Sequence, residues 1–147
     1  MEPINWFMLV LTQHYFDLNG RARRAEFWWY MLVAVIGAIV AYILGWFIGL
    51  SIYASYAYWL ALFLPTLSVT VRRMQDTGRP AVYVYAYYAL AIGLRVVMAI
   101  LPVLFLLSLL SLVSLVALVV MIYLLAQPGT VGPNTYGPDP KRGVVPA

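Results

Sequence analysis

Two long stretches of the chain carry no charge. From Phe27 to Val71, 45 consecutive residues include no Asp, Glu, Lys or Arg, and from Val96 to Pro138 another 43 include none. Even a fully buried helix of a soluble domain has ends that meet water, so runs of this length point elsewhere. A charge at the centre of a bilayer costs at least about 2.5–3.5 kcal/mol, which makes the pattern that of an integral membrane protein. About 20 apolar residues cross roughly 30 Å of hydrocarbon as a helix. Residues 27–50, 52–71, 81–100 and 103–126 therefore read as four transmembrane helices. Pro80 suits the start of the third, because its missing N–H costs nothing at the first helical position. Pro102 is the natural break between the third and fourth. Residues 3–18 are apolar but interrupted by Asn5, Thr12, Gln13 and His14, which suits a helix lying in the membrane interface better than a span. Residues 127–147, rich in Pro and Gly, read as an extended tail with turns. The expected fold is an all-α membrane protein, one domain over 1–147. It is a four-transmembrane-helix bundle with an N-terminal interfacial amphipathic helix and a Pro/Gly-rich cytoplasmic tail. A cleaved signal peptide is not expected, since the first 20 residues hold no Lys or Arg and 27–50 exceeds a signal core.

Composition agrees: 65% of residues are hydrophobic, 10% are charged and the mean hydropathy is +0.89, against about a quarter charged in soluble domains. There is no cysteine, which excludes disulfides and Cys-based metal sites, and His14 is the single histidine. No cofactor or metal is expected. The net charge of +4 is concentrated. Eight of the nine basic residues fall at Arg21, Arg23 and Arg24, at Arg72, Arg73 and Arg79, and at Lys141 and Arg142. With four spans these segments share one side, and the excess of positive charge makes that side the cytoplasm, with both termini inside. The bilayer, with anionic lipids as one candidate, is the expected partner, with room for a membrane-protein partner or a homo-oligomer; nucleic acid is not. Phe27, Trp28, Trp29 and Tyr30 would form an inner aromatic belt, and Trp46, Tyr53, Tyr56, Tyr58 and Trp59 an outer one.

Inside the spans, Gly37, Ala41, Gly45 and Gly49 recur every four residues, the spacing that lets helices approach closely. Ser108, Ser111 and Ser114 form a looser stripe. No carboxylate falls within the four spans, so a buried Asp or Glu proton relay is not offered. Arg95 is the sole ionisable group at membrane depth, and its long stem is expected to carry the charge to the outer interface.

The remaining polar residues form three blocks at one membrane edge. The first runs from Asn19 to Trp28 and holds Arg21, Arg23, Arg24 and Glu26. The second holds Arg72, Arg73, Gln75, Asp76 and Arg79. The third, in the tail, holds Asn134, Tyr136 and Asp139. Arg72 and Asp76 share a face if the second helix continues through them, and Arg23 and Glu26 stand three apart. An interlocked arginine–carboxylate network, or an anion site made of the same residues, is the candidate site.

These blocks also carry a resemblance. Gly20-Arg21-Ala22-Arg23-Arg24 with Glu26 and Trp28, Arg72-Arg73 with Asp76 and Gly78, and Asn134 with Tyr136-Gly137-Pro138-Asp139-Pro140 are similar to the DUF805 family of small bacterial inner-membrane proteins of unknown function. The likeness spans essentially the whole chain. The chain departs from the family at Gln75, where members commonly carry His, and near Arg79-Pro80-Ala81, where they commonly carry Ser-Gly-Trp. The resemblance implies a bacterial inner-membrane location and the same helical fold; it implies no activity.

The reading that best fits these features is a non-enzymatic structural, regulatory or accessory membrane protein whose cytoplasmic helix ends are locked by the Arg/Asp/Glu blocks. The alternative is recognition of an anionic lipid headgroup or phosphorylated ligand by the arginines, favoured by eight Arg to one Lys. A transporter or channel would need oligomers, since the spans offer little to line a pore. An enzyme is not expected: no Ser–His–Asp set, metal cluster or phosphate-binding Gly loop is present.

Overall fold

The computed structural model describes residues 2–100 and 104–141. It contains five helices: α1 (Pro3–Gln13), α2 (Arg24–Phe47), α3 (Ser51–Asp76), α4 (Val82–Ile100) and α5 (Leu104–Ala126). The spans Arg24–Phe47, Ser51–Asp76, Val82–Ile100 and Leu106–Ala126 are long and apolar enough to cross a membrane. Among the described residues there is no β-strand, only an isolated bridge between Asn134 and Gly137 in the segment after α5. The chain is thus an all-α, multi-pass membrane protein. The expected break at Pro102 and the basic Arg142 lie outside the described residues.

Two glycines decide where helices stop. Gly49, with φ +72°, follows α2, and Gly78, with φ +79°, follows α3. Each adopts the left-handed conformation that turns the chain back onto its last carbonyls. After α2, Leu50 N–H donates to the Gly45 carbonyl (2.7 Å) and Gly49 N–H to that of Trp46 (3.2 Å). After α3, Arg79 N–H donates to Met74 (3.3 Å) and Gly78 N–H to Gln75 (3.0 Å). Because the stop comes at Gly78, α3 runs past the charge-free stretch and carries Arg72, Arg73 and Asp76 within its last two turns. At the other end of the stripe of small residues, a Cβ on Gly37 would strike the Tyr58 ring, and one on Gly45 would meet Ala54 and Ser51 at 2.8 Å. Gly37 and Gly45 therefore sit at the α2–α3 contact, with Ala41 half-buried between them. Gly49, with nothing within 4 Å of its Cβ position, acts as a helix stop instead.

α3 is the central element and packs against all four other helices. It contains Pro65, which supplies no N–H to the Ala61 carbonyl one turn earlier. Inside a bilayer no water can take that carbonyl. The Tyr15 hydroxyl does so at 2.9 Å, and the segment after α1 is thereby tied to α3. α1 packs on the same helices through buried Val10 and through Phe7, whose ring stacks on Tyr30 at 5.4 Å.

The core is lopsided. Its members include Phe27, Tyr30 and Ala34 from the start of α2, Val69, Val71 and Met74 from the end of α3, Val84 from the start of α4, and Met121 and Leu125 from the end of α5. All belong to the end of the bundle that bears the arginines. There, residues 68–76 of α3 are buried without interruption, so every face of that helix is covered. Tyr30, expected in an interfacial belt, is fully buried in this core, and Tyr58 lies half-buried against Gly37.

Candidate functional site

The adjacent arginines of α3 address different parts of the molecule, since neighbouring residues on a helix point about 100° apart. Arg73, 0% exposed, turns toward the end of α5. Its Nε donates to the Leu125 carbonyl (2.9 Å), its Nη2 to that of Gln127, and its Nη1 to Asp76 Oδ2. Arg21, from the turn before α2, reaches the other oxygen of the same carboxylate, with Nε and Nη2 each 2.9 Å from Asp76 Oδ1. Its remaining donors bind the carbonyls of Gly132 (2.6 Å) and Thr130 (2.5 Å). The Asp76 carbonyl in turn accepts the Thr130 N–H at 2.8 Å. One aspartate therefore joins the N-terminal block, the end of α3 and the strap after α5. Gly129 lies so close that a Cβ there would overlap the Asp76 carboxylate.

Arg72 turns the other way. Its Nη2 stands 2.7 Å from Glu26 Oε1 on α2. The pair is held by charge, since neither atom has an aligned hydrogen bond among the described residues. Arg72 also faces Asp17. Burial pushes the Asp17 carboxyl up, but the Asn19 N–H, the His14 ring and the Arg72 charge together outweigh it and hold the group below its ordinary value. His14 Nδ1 lies 3.0 Å from Asp17 Oδ2 and makes an ion pair only when the ring is protonated.

The arrangement differs from the pairings that spacing suggests. Arg72 and Asp76, four apart on one helix, do not pair; the three-apart Arg73 and Asp76 do. Glu26 takes Arg72 in place of its near neighbour Arg23, whose guanidinium bonds the Pro140 carbonyl. Arg24 donates to the carbonyls of Ala126 and of Gln127 (3.3 Å). Arg79 is half-buried and has no polar partner among the described residues. In the strap, Asn134 Nδ2 donates to the Gln75 carbonyl (3.0 Å) and to Thr130 Oγ1 (2.8 Å), while its Oδ1 accepts the Tyr136 N–H (2.9 Å). Asp139 accepts the Gly132 N–H through one oxygen and the Lys141 N–H through the other, both at 2.9 Å.

Two members carry no charge, and of these Ser68 was not apparent as a site residue. Ser68, fully buried, donates its hydroxyl to the carbonyls of His14 and Asp17 (2.7 Å each). Gln75 Nε2 donates to the Leu18 carbonyl at 3.1 Å. Together they dock the loop between α1 and α2 onto α3. The available signal was position: each is a polar residue in line with the buried face of a span, where a partner is obligatory. Arg95 also departs from expectation. Its Nη1 bonds the Ala91 carbonyl at 3.4 Å, one turn back toward the arginine end. Ser111 and Ser114 bond carbonyls of their own helix, at 2.7 and 2.9 Å.

The buried set is thus three arginines (Arg21, Arg72, Arg73) and two carboxylates (Glu26, Asp76), with Asp17 half-buried beside it. Among the described residues no group of three His, Cys, Asp or Glu side chains converges as a metal site would. What this chemistry does well is fix chain segments 50 to 110 residues apart.

The family model for proteins of unknown function DUF805 matches residues 15–138, from the loop docked by Ser68 through the strap. The chain belongs to the DUF805 family. It is 32% identical to the inner membrane protein YhaI of Escherichia coli K12 over 142 residues, 95% of this chain and 98% of that protein. It is 31% identical to the inner membrane protein YhaH of the same strain over 143 residues, 94% and 98% of the two chains. No solved structure matches. As a DUF805 member the chain is a membrane protein of a family without an assigned activity, and Arg21, Glu26, Arg72, Arg73 and Asp76 all fall inside the matched region.

Proposed function

We propose that this DUF805 member is a non-enzymatic structural, regulatory or accessory-subunit protein of the bacterial inner membrane. Its termini lie in the cytoplasm, and the cytoplasmic ends of its helices are locked by the arginine–carboxylate set. The observation that carries this reading is the internal engagement of the buried cluster. Arg21 and Arg73 spend their donors on Asp76 and on main-chain carbonyls, and Arg72 is paired with Glu26. A cluster whose donors are spent internally leaves few of them to an outside anion. Desolvated ion pairs of this kind fix geometry more than they add net stability, which suits a scaffold that presents a defined surface to partners.

The test is Asp76→Ala in the native membrane. Reduced accumulation and a lower melting temperature, partly restored by adding Arg73→Gln, are the expected results. Normal accumulation with unchanged melting would overturn the proposal. Orientation is tested separately. Because the chain has no cysteine, a cysteine placed at Thr135 or at Tyr53 is the sole thiol. Thr135→Cys should react with an impermeant maleimide in inverted vesicles and Tyr53→Cys in right-side-out cells; the reverse pattern would contradict the orientation.

A further inference from the structure

Beside the arginine cluster, the cleft between α2 and α5 opens into a groove of about 430 Å³. α2 packs on α3 and α5 on α4, so these two walls stand apart over a floor supplied by the inner helices. Trp28, Met31 and Val35 line one wall, Ile122 and Leu125 the other. Two threonines of α3 reach the floor but offer nothing polar to an occupant: Thr70 Oγ1 bonds the Thr66 carbonyl (2.6 Å), and Thr66 Oγ1 bonds the Tyr30 hydroxyl (2.9 Å). Trp28, Val35 and Ile122 are exposed at its rim, which opens sideways to the bilayer.

One end of the groove is not apolar. Arg24, Trp28, Met31 and Val35 are spaced four, three and four residues apart and share one helical face. Arg24 is exposed and has no carboxylate partner among the described residues; its guanidinium bridges to the carbonyls that follow Leu125. Arg73 lies near enough to feel its charge as a repulsion. Arg24 is thus a cation without a carboxylate, standing where an apolar groove meets the membrane edge.

We infer that this groove is a binding site for one anionic phospholipid, an acyl chain lying between α2 and α5 and the phosphate held at Arg24. An exposed guanidinium with no carboxylate partner above an apolar channel complements such a lipid in both charge and polarity, and forked donors suit phosphate. A bilayer supplies the chain directly to a laterally open groove.

The experiment reconstitutes the full chain in nanodiscs of equal parts phosphatidylglycerol and phosphatidylcholine with matched chains and counts retained lipids by native mass spectrometry. Wild type should keep one lipid, with phosphatidylglycerol favoured roughly fivefold, the contribution of one arginine near an anionic surface. Arg24→Gln should bring the two lipids to parity, and Arg24→Lys should keep a preference. Ile122→Trp or Val35→Trp, which fill the groove from opposite walls at exposed positions, should lose the lipid without a change in melting temperature. A wild type that retains no lipid overturns the inference, as does a preference indifferent to Arg24→Gln. So does a second protein copy seated in place of the lipid and lost with Ile122→Trp.

Discussion

At the arginine end of the bundle, α3 is buried through nine successive residues, 68–76. At the other end Phe47, Ile48 and Tyr53 are 73, 70 and 69% exposed. The helices that form the two ends are the same, and both ends carry apolar side chains. Lipid tails are as apolar as leucine, so hydrophobicity gives helices little reason to prefer one another within a bilayer. Polar groups supply the difference. At the arginine end the carbonyls, guanidinium groups and carboxylates have no good partner but each other, and the helices close around them. At the other end close approach rests on small residues such as Gly37 and Gly45.

Three substitutions sharpen this contrast, each with a counterpart. Arg73→Met should cost about 3–5 kcal/mol in detergent unfolding, because it strips a buried carboxylate of one partner and frees two carbonyls, whereas Arg95→Met at the open end should cost nothing. Equal losses would erase the distinction between the ends. Gly129→Ala should cost about 1–3 kcal/mol by pushing the Asp76 carboxylate out of its clasp; Gly93→Ala, with nothing within 4 Å of the added carbon, should leave the melting temperature where it is. Tyr15→Phe removes the donor to the carbonyl released by Pro65 and should lose about 1 kcal/mol, while Tyr53→Phe should be silent.

The smallest effect concerns pH. Asp17 is held below its ordinary value, so its contribution to stability is present above the unfolded value of about 3.9 and is lost as pH falls through the lower folded value. Asp17→Asn should flatten melting temperature against pH in that acidic window and lower neutral stability slightly, by the contribution it removes. A wild-type profile equally flat there would remove Asp17 from the set.

The architecture was legible because its signal is compositional: 45 and 43 charge-free residues leave a membrane as the natural solvent. Helix ends were legible only in part. The glycine at 49 fits both a packing stripe and a stop signal, and backbone conformation decided between them. The charged residues of the site could be named from their clustering, but not their pairings. Arg72 and Arg73 look equivalent in sequence and diverge because a helix rotates one toward α2 and the other toward α5. Residues such as Ser68 and Gly129 were silent because what they meet, main-chain carbonyls and the Asp76 carboxylate, belongs to segments more than 50 residues away.

The central claim is that Asp76 holds the N-terminal block to the end of α3. A double-mutant cycle on Arg21→Gln and Asp76→Asn, read from reversible unfolding in mixed micelles, addresses it most directly. The account expects a coupling energy of about 1–3 kcal/mol, the double mutant being less damaged than the two losses combined. Additive losses, with coupling below about 0.5 kcal/mol, would contradict it.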